Sequence, residues 1–303
     1  MSPTNEPLPC SHLQPAGLQK SPGGIPYLDW GGHGPLAHFA HANGFPPGTY
    51  NAFIQLLTPH FHVLGMECRA LWGDQDTARF RHWRELGEDL ARFLREMRLH
   101  GIIGIGHSLG AVTSLFCAVS HPELFRALVL IDPVILPLHF APILALARLL
   151  RLNRRARLPA GARRRRMEWP NKEVLFRAYR SAPVFARWQD VFLRDYIASG
   201  TTEQPGGSVH LRYPREWEAR IFETVPLDVW LDIPRLRLPL LVLRGQHSNT
   251  YRKSAMRLMQ WLLPHGVFKE VEGADHFVPM SKPEETAALI HAFIQGERSK
   301  GLF

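Results

Sequence analysis

The stretch that decides the fold is GIIGIGHSLGAV, residues 101–112. An apolar run there ends in Gly-His-Ser-Leu-Gly and continues directly into small and apolar residues. Glycine is unfavourable inside strands and helices, and a serine hydroxyl contributes little to packing. The pattern therefore predicts a buried strand at 102–106, a tight turn at Ser108 and a small-residue helix at 109–120.

Strands and helices alternate on both sides of this turn. Strands that are apolar throughout, with helices between them, indicate a mostly parallel sheet covered by helices on both faces. The fold class is therefore α/β. Strands are predicted at residues 25–31, 35–45, 61–68, 102–106, 127–132, 239–245 and 267–273, and helices at 49–57, 79–98, 109–120, 252–263 and 283–296.

The alternation is interrupted once, between residues 134 and 232. Only helices are expected there, in a segment rich in arginine, tryptophan and proline. Because the strands continue on both sides, one α/β domain with a helical insertion explains the chain better than two independent domains. We predict a flexible, proline-rich leader at 1–24, a core at 25–133 and 233–303, and a helical cap at 134–232.

The composition indicates a globular protein of a reducing compartment. The chain has 303 residues, and 45% of them are hydrophobic, which is enough for a sizeable core. Cys10, Cys68 and Cys117 are few and have no Cys-x-x-Cys spacing, so neither a disulfide framework nor a zinc site is expected. The longest apolar stretch, 134–150, is too short and interrupted to span a membrane. A cytoplasmic location is therefore the prediction.

The net charge of +9 is concentrated in one segment of the sequence. Nucleic-acid binding is one interpretation, but no nucleic-acid motif, repeat or zinc spacing accompanies the charge, so no such partner is expected. A solvated surface is favoured, with attraction of an anionic substrate or an acidic lipid surface as the alternatives. The arginines are Arg148, Arg151, Arg154, Arg155, Arg157, Arg163, Arg164, Arg165 and Arg166.

The turn at Ser108 matches Gly-x-Ser-x-Gly, the nucleophile elbow. Larger residues at Gly106 and Gly110 would collide across so sharp a turn, and the helix that follows directs its positive end at the serine. The alternative is a purely structural turn. A serine needs a base to take its proton, and His276 stands where that base is expected, after the last strand and before the final helix.

Two backbone amides should stabilise the negative charge that develops during attack by Ser108. One is expected from Leu109, the residue after the serine. The other is expected from Phe45 in HANGFPPG, residues 41–48, where Gly44 lets the backbone turn inward. An ordinary Asn-Gly turn is the alternative there. The residues expected near the substrate are Asn43, Gly44, His107 and Trp230, although His107 is suited to packing the elbow rather than to acting as base.

Together these motifs resemble the α/β-hydrolase fold family, of the cap-bearing kind that includes haloalkane dehalogenases, epoxide hydrolases and many esterases. The resemblance covers about residues 25–295. The family usually carries His-Gly at the oxyanion loop, where this chain has Asn43-Gly44, a change that leaves the main-chain donors in place. Members that attack alkyl carbons or epoxides use an aspartate nucleophile, so Ser108 implies acyl transfer to water instead.

The acid that should orient the histidine is where the chain departs from the family. The resemblance implies an acid about three residues after the penultimate strand, but Ser248 and Asn249 stand there. Asp132, at the end of the strand after the nucleophile helix, is the alternative, as in a subset of the haloalkane dehalogenases. We predict that Asp132 orients His276, although it would also suit the capping of a turn. Asp275 adjoins the histidine, but its side chain should point away.

The sequence therefore predicts a serine hydrolase that cleaves a small-molecule carboxylic ester through an acyl-enzyme, without a metal or an organic cofactor. The many aromatic residues of the cap favour lipid-like or hydrophobic acyl groups. Two other functions stay open: the same triad breaking a carbon–carbon bond or eliminating a group with His276 mainly as a base, and a non-catalytic ligand receptor. The sequence does not indicate the oligomeric state.

Overall fold

The computed structural model describes residues 17–74, 76–150 and 152–301. The first 16 residues of the predicted leader lie outside this description, as do Cys10 and Arg151. Within the rest of the predicted leader, Gln19–Lys20 form a short strand on the edge of the sheet. The ordered fold therefore begins before residue 25.

The secondary structure alternates as expected on both sides of the insertion. The strands are β1 Gln19–Lys20, β2 Pro26–Gly31, β3 Leu36–Ala40, β4 His62–Met66, β5 Ile102–His107, β6 Phe125–Ile131, β7 Glu168–Trp169, β8 Thr201–Glu203, β9 Val209–Leu211, β10 Leu240–Gly245 and β11 Val267–Val271. The helices are α1 Asn51–Leu57, α2 Arg84–Glu96, α3 Leu109–Ser120, α4 Ala141–Leu149, α5 Arg157–Arg163, α6 Lys172–Arg180, α7 Asp190–Gly200, α8 Arg215–Glu223, α9 Lys253–Leu262, α10 Val278–Ser281 and α11 Pro283–Ser299.

The central sheet has eight strands in the order β1-β2-β4-β3-β5-β6-β10-β11. Every neighbouring pair from β4 to β11 is parallel, whereas β2 pairs antiparallel with both β1 and β4. The predicted α/β class with a mostly parallel sheet is confirmed. The position of β4 between β2 and β3 is not evident from the sequence, since β2 and β3 are consecutive in the chain.

The central strands are apolar throughout because helices cover both faces of the sheet. Successive side chains of a strand point to opposite faces. In β5, Ile103 and Ile105 pack in the apolar cluster that includes α1 and α11, whereas Ile102 packs in the cluster that includes α2, α3 and α9. Burial of both faces removes the polar alternation that a half-exposed strand would show.

The parallel strands bring distant parts of the chain to one edge of the sheet. Five loops leave the carboxyl ends of β3, β5, β6, β10 and β11, which share this edge because the strands are parallel. In open α/β sheets this edge is where ligands bind. These loops carry Phe45, Ser108, Asp132, Ser248 and His276.

Residues 134–232 form an insertion between β6 and β10 that contains α4 to α8. It also contains a small antiparallel sheet in the order β7-β9-β8, so the expectation of helices only is wrong. These strands have two or three residues each. A period of two cannot be recognised over so short a length, which is why the sequence does not reveal them.

Helix α8 fastens the insertion to the core. The indole Nε1 of Trp217 donates to the carbonyl oxygen of Asp74 at 2.6 Å. The guanidinium of Arg220 donates twice to the carbonyl oxygen of Phe80, at 2.6 and 2.9 Å. Both acceptors belong to the loop between β4 and α2, so α8 is held over the core by bonds to its backbone.

The apolar stretch 134–150 is divided between a short helical turn, Leu138–Phe140, and the nine-residue helix α4. Within the ranges that the structure describes, no helix combines the length and the apolar character that crossing a bilayer requires.

Candidate active site

Ser108 occupies a strained turn between β5 and α3. Its φ of 57° and ψ of −113° lie outside the regions that ordinary residues adopt. A Cβ atom on Gly106 would lie 2.4 Å from the carbonyl oxygen of Gly110, and one on Gly110 would lie 2.0 Å from that of Ala40. No side chain larger than hydrogen fits at either position, which explains both glycines of the motif.

Ser108, His276 and Asp132 form a connected hydrogen-bonded series. The Nε2 atom of His276 lies 2.9 Å from Ser108 Oγ, and its Nδ1 atom lies 2.7 Å from Asp132 Oδ2. An ionised carboxylate only accepts hydrogen bonds, so the Nδ1–H of His276 donates to Asp132. The lone pair of Nε2 then faces the serine hydroxyl, which is the arrangement that proton abstraction requires.

Asp132 is fully buried and is held by bonds to β10. Its backbone is left-handed, with φ of 42°. Its Oδ1 accepts the N–H of Gly245 at 2.9 Å, and its own N–H donates to the carbonyl oxygen of Leu243 at 2.7 Å. The carboxylate is therefore oriented by β10 and directed at His276.

Ser248 stands where the family usually has its acid, and it binds the acid that this chain has instead. Its Oγ lies 2.6 Å from Asp132 Oδ2. The N–H groups of Thr250 and Tyr251 donate to the same Oγ at 3.2 and 3.3 Å, so the hydroxyl proton is directed to the carboxylate. The sequence places Ser248 where the family has its acid, but it carries no local sign that this serine binds Asp132.

Asp275 takes no part in this series. Its Oδ1 accepts the N–H of Phe277 at 2.9 Å, in a turn that presents the neighbouring His276 to the serine. The carboxylate of Asp275 is thus engaged with the backbone, while Asp132 binds the imidazole.

His107 is buried and uses both ring nitrogens within the protein. Its Nε2 lies 2.9 Å from the carbonyl oxygen of His276 and therefore carries the proton. Its Nδ1 accepts the hydroxyl of Tyr50 at 2.7 Å. Burial, and then the nearby His276, lower the pKa of His107 to about 3, so the ring is neutral. In the structure His107 holds the backbone of His276, and its contact with substrate stays a prediction.

The two predicted oxyanion donors lie in different local environments. Leu109 is the first residue of α3, so its N–H has no acceptor within the helix. The N–H of Phe45 is directed at the carbonyl oxygen of Ala42 at 3.3 Å, in a turn for which Gly44 adopts φ of 84°. That long bond is weak, so the amide of Phe45 can be shared with a developing anion. The oxyanion roles stay predictions.

Asn43 and Trp230 fasten the insertion. The Nδ2 of Asn43 donates to the carbonyl oxygen of Glu218 at 3.1 Å, and its Oδ1 accepts the hydroxyl of Tyr213 at 2.9 Å. The Nε1 of Trp230 donates to the carbonyl oxygen of Leu136 at 2.9 Å, which ties the two ends of the insertion together. Both polar groups of Asn43 are occupied by these bonds. The substrate-binding roles of Asn43 and Trp230 stay predictions.

Aromatic rings from the insertion and the core meet beside the histidine. The ring of Phe45 lies 5.1 Å from that of Tyr196, 5.6 Å from that of Trp188 and 5.2 Å from that of Phe277, measured between centroids. Phe277 follows His276 directly in the chain, and its ring lies 5.2 Å from the imidazole. We call Phe45, Trp188, Tyr196 and Phe277 the aromatic wall.

A charged pair lies next to the oxyanion loop. Arg165 donates to Glu218 at 2.5 Å. A Cβ atom on Gly44 would lie 3.0 Å from Glu218 Oε1 and 3.3 Å from Arg165 Nη1, so both side chains press against this loop. Arg165 therefore departs from the solvated surface expected for the arginine segment. Over the described ranges, no group of three His, Cys, Asp or Glu residues is placed to hold a metal ion.

The fold and the serine–histidine–aspartate series together define a hydrolase of the α/β-hydrolase class. The model of the alpha/beta hydrolase family matches residues 39–289, and the chain belongs to this family.

Individual relatives agree with this assignment. The 2-(acetamidomethylene)succinate hydrolase of Mesorhizobium japonicum is 26% identical over 265 residues, which cover 87% of this chain and 89% of the relative. The crystal structure of an E-2-(acetamidomethylene)succinate hydrolase superposes with a TM-score of 0.73 at 22% identity, covering 89% of this chain and 95% of that one. An esterase from Mycobacterium tuberculosis superposes with a TM-score of 0.70 at 21% identity, covering 96% and 92% of the two chains.

Proposed function

We propose that this protein is a serine hydrolase that cleaves carboxylic esters through an acyl-enzyme intermediate. The observation that carries the proposal is the pair of distances at His276, 2.9 Å to the serine hydroxyl and 2.7 Å to a buried carboxylate. A serine becomes a nucleophile when a base takes its proton, and the base works when its other nitrogen is held by an acid.

The reaction proceeds in two halves on Ser108. The hydroxyl attacks the ester carbonyl while its proton moves to Nε2 of His276, and the amide of Leu109, with that of Phe45, stabilises the tetrahedral oxyanion. Collapse of this intermediate expels the alcohol, which takes the proton from His276. Water then attacks the acyl-enzyme with His276 as base, and the acid is released. Asp132 stays ionised and supports the imidazolium that forms in each half.

The acyl group of the substrate is proposed to contact the aromatic wall. Aromatic side chains with a few convergent polar groups are typical of small-molecule sites. The wall offers apolar surface beside His276. Arg165, which pairs with Glu218, donates to the hydroxyl of Tyr196 and so places a polar group at the edge of the wall. This supports a hydrophobic acyl chain on a substrate that also carries a polar group.

Turnover of simple p-nitrophenyl esters tests the proposal. We expect a rapid burst of nitrophenol equal to the enzyme concentration, because the first half of the reaction releases the alcohol before water attacks. Ser108→Ala should lower kcat/KM by roughly 10⁴-fold or more and abolish the burst. Ser181→Ala, at an exposed serine of the insertion, is the matched control and should change neither. An undiminished burst from Ser108→Ala would overturn the proposal.

A second candidate is supported by the Mesorhizobium relative, whose name specifies a succinate derivative rather than an ester. In this candidate the same three residues break a carbon–carbon bond or eliminate a group, with His276 mainly as a base. Esters would then be poor substrates and would show no burst. Turnover of an acetamidomethylene succinate together with absence of the ester burst would favour this candidate.

A further inference from the structure

The exposed side of α4 and of the segment after it is apolar, the reverse of an ordinary surface helix. Ile143, Leu146 and Leu150 share one helix face at spacings of three and four residues, and all three are exposed. Leu149 borders them and is 79% exposed. Leu144 and Arg148 lie on the opposite side, where the guanidinium of Arg148 donates to the carbonyl oxygen of Val225. The helix is thus attached through Arg148, and its opposite side exposes Ile143, Leu146 and Leu150 to solvent.

The apolar surface continues beyond α4. Leu152 and Leu158 are exposed in the two short helical segments that follow. We call the side chains of Ile143, Leu146, Leu149, Leu150, Leu152 and Leu158 the outer cap face. Exposed apolar patches of this kind on soluble proteins mark interaction surfaces.

Positive charge surrounds the outer cap face without acidic residues in the same segment. Arg154, Arg155, Arg157 and Arg164 are exposed. Residues 134–167 contain no aspartate or glutamate. The nearest acidic partner of Arg154 is Glu223 of α8, at 3.8 Å. Exposed leucines with exposed arginines beside them in the chain suit a surface that is apolar below and anionic at its boundary.

Helix α9, which borders the start of α4, adds an exposed tryptophan. A groove of about 530 Å³ between the start of α4 and α9 is lined by Pro142 and Leu258, among others. Trp261 lies one turn beyond Leu258 on the same face of α9 and is 77% exposed. Tryptophan is the residue that membrane interfaces favour, because its ring is apolar and its N–H is polar.

We propose that the outer cap face docks on an anionic phospholipid bilayer, with the leucines in the acyl boundary and the arginines on the lipid phosphates. A second copy of the chain is a poorer occupant. A two-fold contact through this face would bring the same arginines of both copies together, and like charges at an interface are unfavourable. The bilayer instead complements both features of the face. The proposal concerns where the protein binds and does not depend on the bond that it cleaves.

Co-sedimentation of the full chain with vesicles tests this docking. The probes are vesicles of phosphatidylcholine alone and vesicles with about one third phosphatidylglycerol, each at low and high salt. We expect binding to the phosphatidylglycerol vesicles, weakened by salt because the phosphate contacts are screened. The double variant Leu146→Ser/Leu149→Ser should bind at least tenfold more weakly.

The arginines are tested by Arg154→Gln/Arg155→Gln/Arg157→Gln. This variant should lose about a hundredfold of the preference for phosphatidylglycerol, at about fivefold per arginine. Val184→Ser/Val191→Ser changes two exposed apolar residues elsewhere on the insertion and should bind as the parent does. Because all these side chains are exposed, thermal unfolding of each variant should match that of the parent, which separates lost docking from lost folding.

Three outcomes would overturn the proposal. In the first, the parent protein fails to sediment with phosphatidylglycerol vesicles at low salt. In the second, the leucine double variant and the arginine triple variant both sediment as well as the parent does. In the third, sedimentation velocity without lipid shows a dimer that Leu146→Ser/Leu149→Ser dissociates, which would identify a second copy as the occupant.

Discussion

Two residues of the site, Ser108 and Asp132, have left-handed backbones, with φ of 57° and 42°. Such a conformation costs a non-glycine residue roughly 1–2 kcal/mol, and it persists only where the surroundings fix it. The strain at Ser108 is predictable from the glycines on either side of it. The strain at Asp132 is not, because no glycine pattern surrounds that residue and its bonds are to residues more than a hundred positions away.

Asp132→Asn should lower kcat by about 10⁴-fold, because an amide at this position no longer fixes the histidine tautomer or supports the imidazolium. KM should change little, since the carboxylate faces His276 rather than the substrate. Steady-state kinetics on a nitrophenyl ester measure both values.

Asp275→Asn is the control for that experiment. It changes the acidic residue next to His276 and retains an oxygen that can accept the N–H of Phe277. We expect turnover close to that of the parent. A large loss in Asp275→Asn with little loss in Asp132→Asn would show that the acid is assigned to the wrong residue.

Ser248→Ala should lower kcat about tenfold, because the carboxylate of Asp132 loses a donor that fixes its direction toward His276. The hydroxyl donates to the same oxygen of Asp132 that binds His276. KM should change little, since Ser248 contacts the acid rather than the substrate.

The conservative variant Ser248→Thr keeps a hydroxyl and should restore most of kcat. A merely structural serine would leave kcat of the folded enzyme unchanged in both variants and would change stability alone. Thermal unfolding measured beside kcat and KM distinguishes the two roles.

At the scale of elements, the sequence predicts the central strands and helices because their apolar patterns are strong, and it is less accurate at their ends. Helix α2 is expected from residue 79 but begins at Arg84. The N–H groups of Arg81 and His82, which precede the helix, donate to the side chain of Glu85 in its first turn. A carboxylate that caps from within the first turn is a tertiary detail that apolar periodicity does not record.

Asp195→Asn tests the contact between α7 and α1. The carboxylate of Asp195 accepts the N–H of Ala52 at 2.8 Å, and burial raises the pKa of Asp195 from 3.8 to about 7. A raised pKa means that the folded state holds the proton more tightly than the unfolded state. The contribution of Asp195 to stability is therefore complete below about pH 4 and is lost as pH rises to about 7.

An asparagine still accepts the N–H of Ala52 but never ionises. Asp195→Asn should therefore match the parent near pH 4 and exceed its free energy of unfolding by at least about 1 kcal/mol at pH 8. Urea unfolding at the two pH values measures the difference. If the difference in free energy of unfolding between Asp195→Asn and the parent is the same at both pH values, the pKa of Asp195 is not raised in the folded state.

At the scale of the whole molecule, the position of the insertion follows from the sequence, whereas its attachment does not. The interruption of the strand series marks residues 134–232 clearly. The bonds that join this segment to the core, such as that from Asn43 to the backbone of Glu218, connect residues 175 positions apart. Pairs so distant have no local pattern, so one sequence cannot reveal them.

Asn43→Ala tests whether the insertion supports the oxyanion loop. The change removes two hydrogen bonds and leaves the buried hydroxyl of Tyr213 with only the sulfur of Cys68, a weak acceptor at 3.4 Å. The free energy of unfolding should fall by about 1–3 kcal/mol, and kcat should fall as the loop loosens. Asn249→Ala, at an exposed asparagine, is the control and should change neither quantity.

The central claim is that Ser108 is the nucleophile and that His276 activates it. Its most direct test is reaction with a fluorophosphonate followed by mass spectrometry of the digested protein. The account predicts one adduct, on the peptide that contains Ser108, which is absent in Ser108→Ala and forms far more slowly in His276→Ala. An adduct on another residue, or labelling of Ser108→Ala at the rate of the parent, would contradict the account.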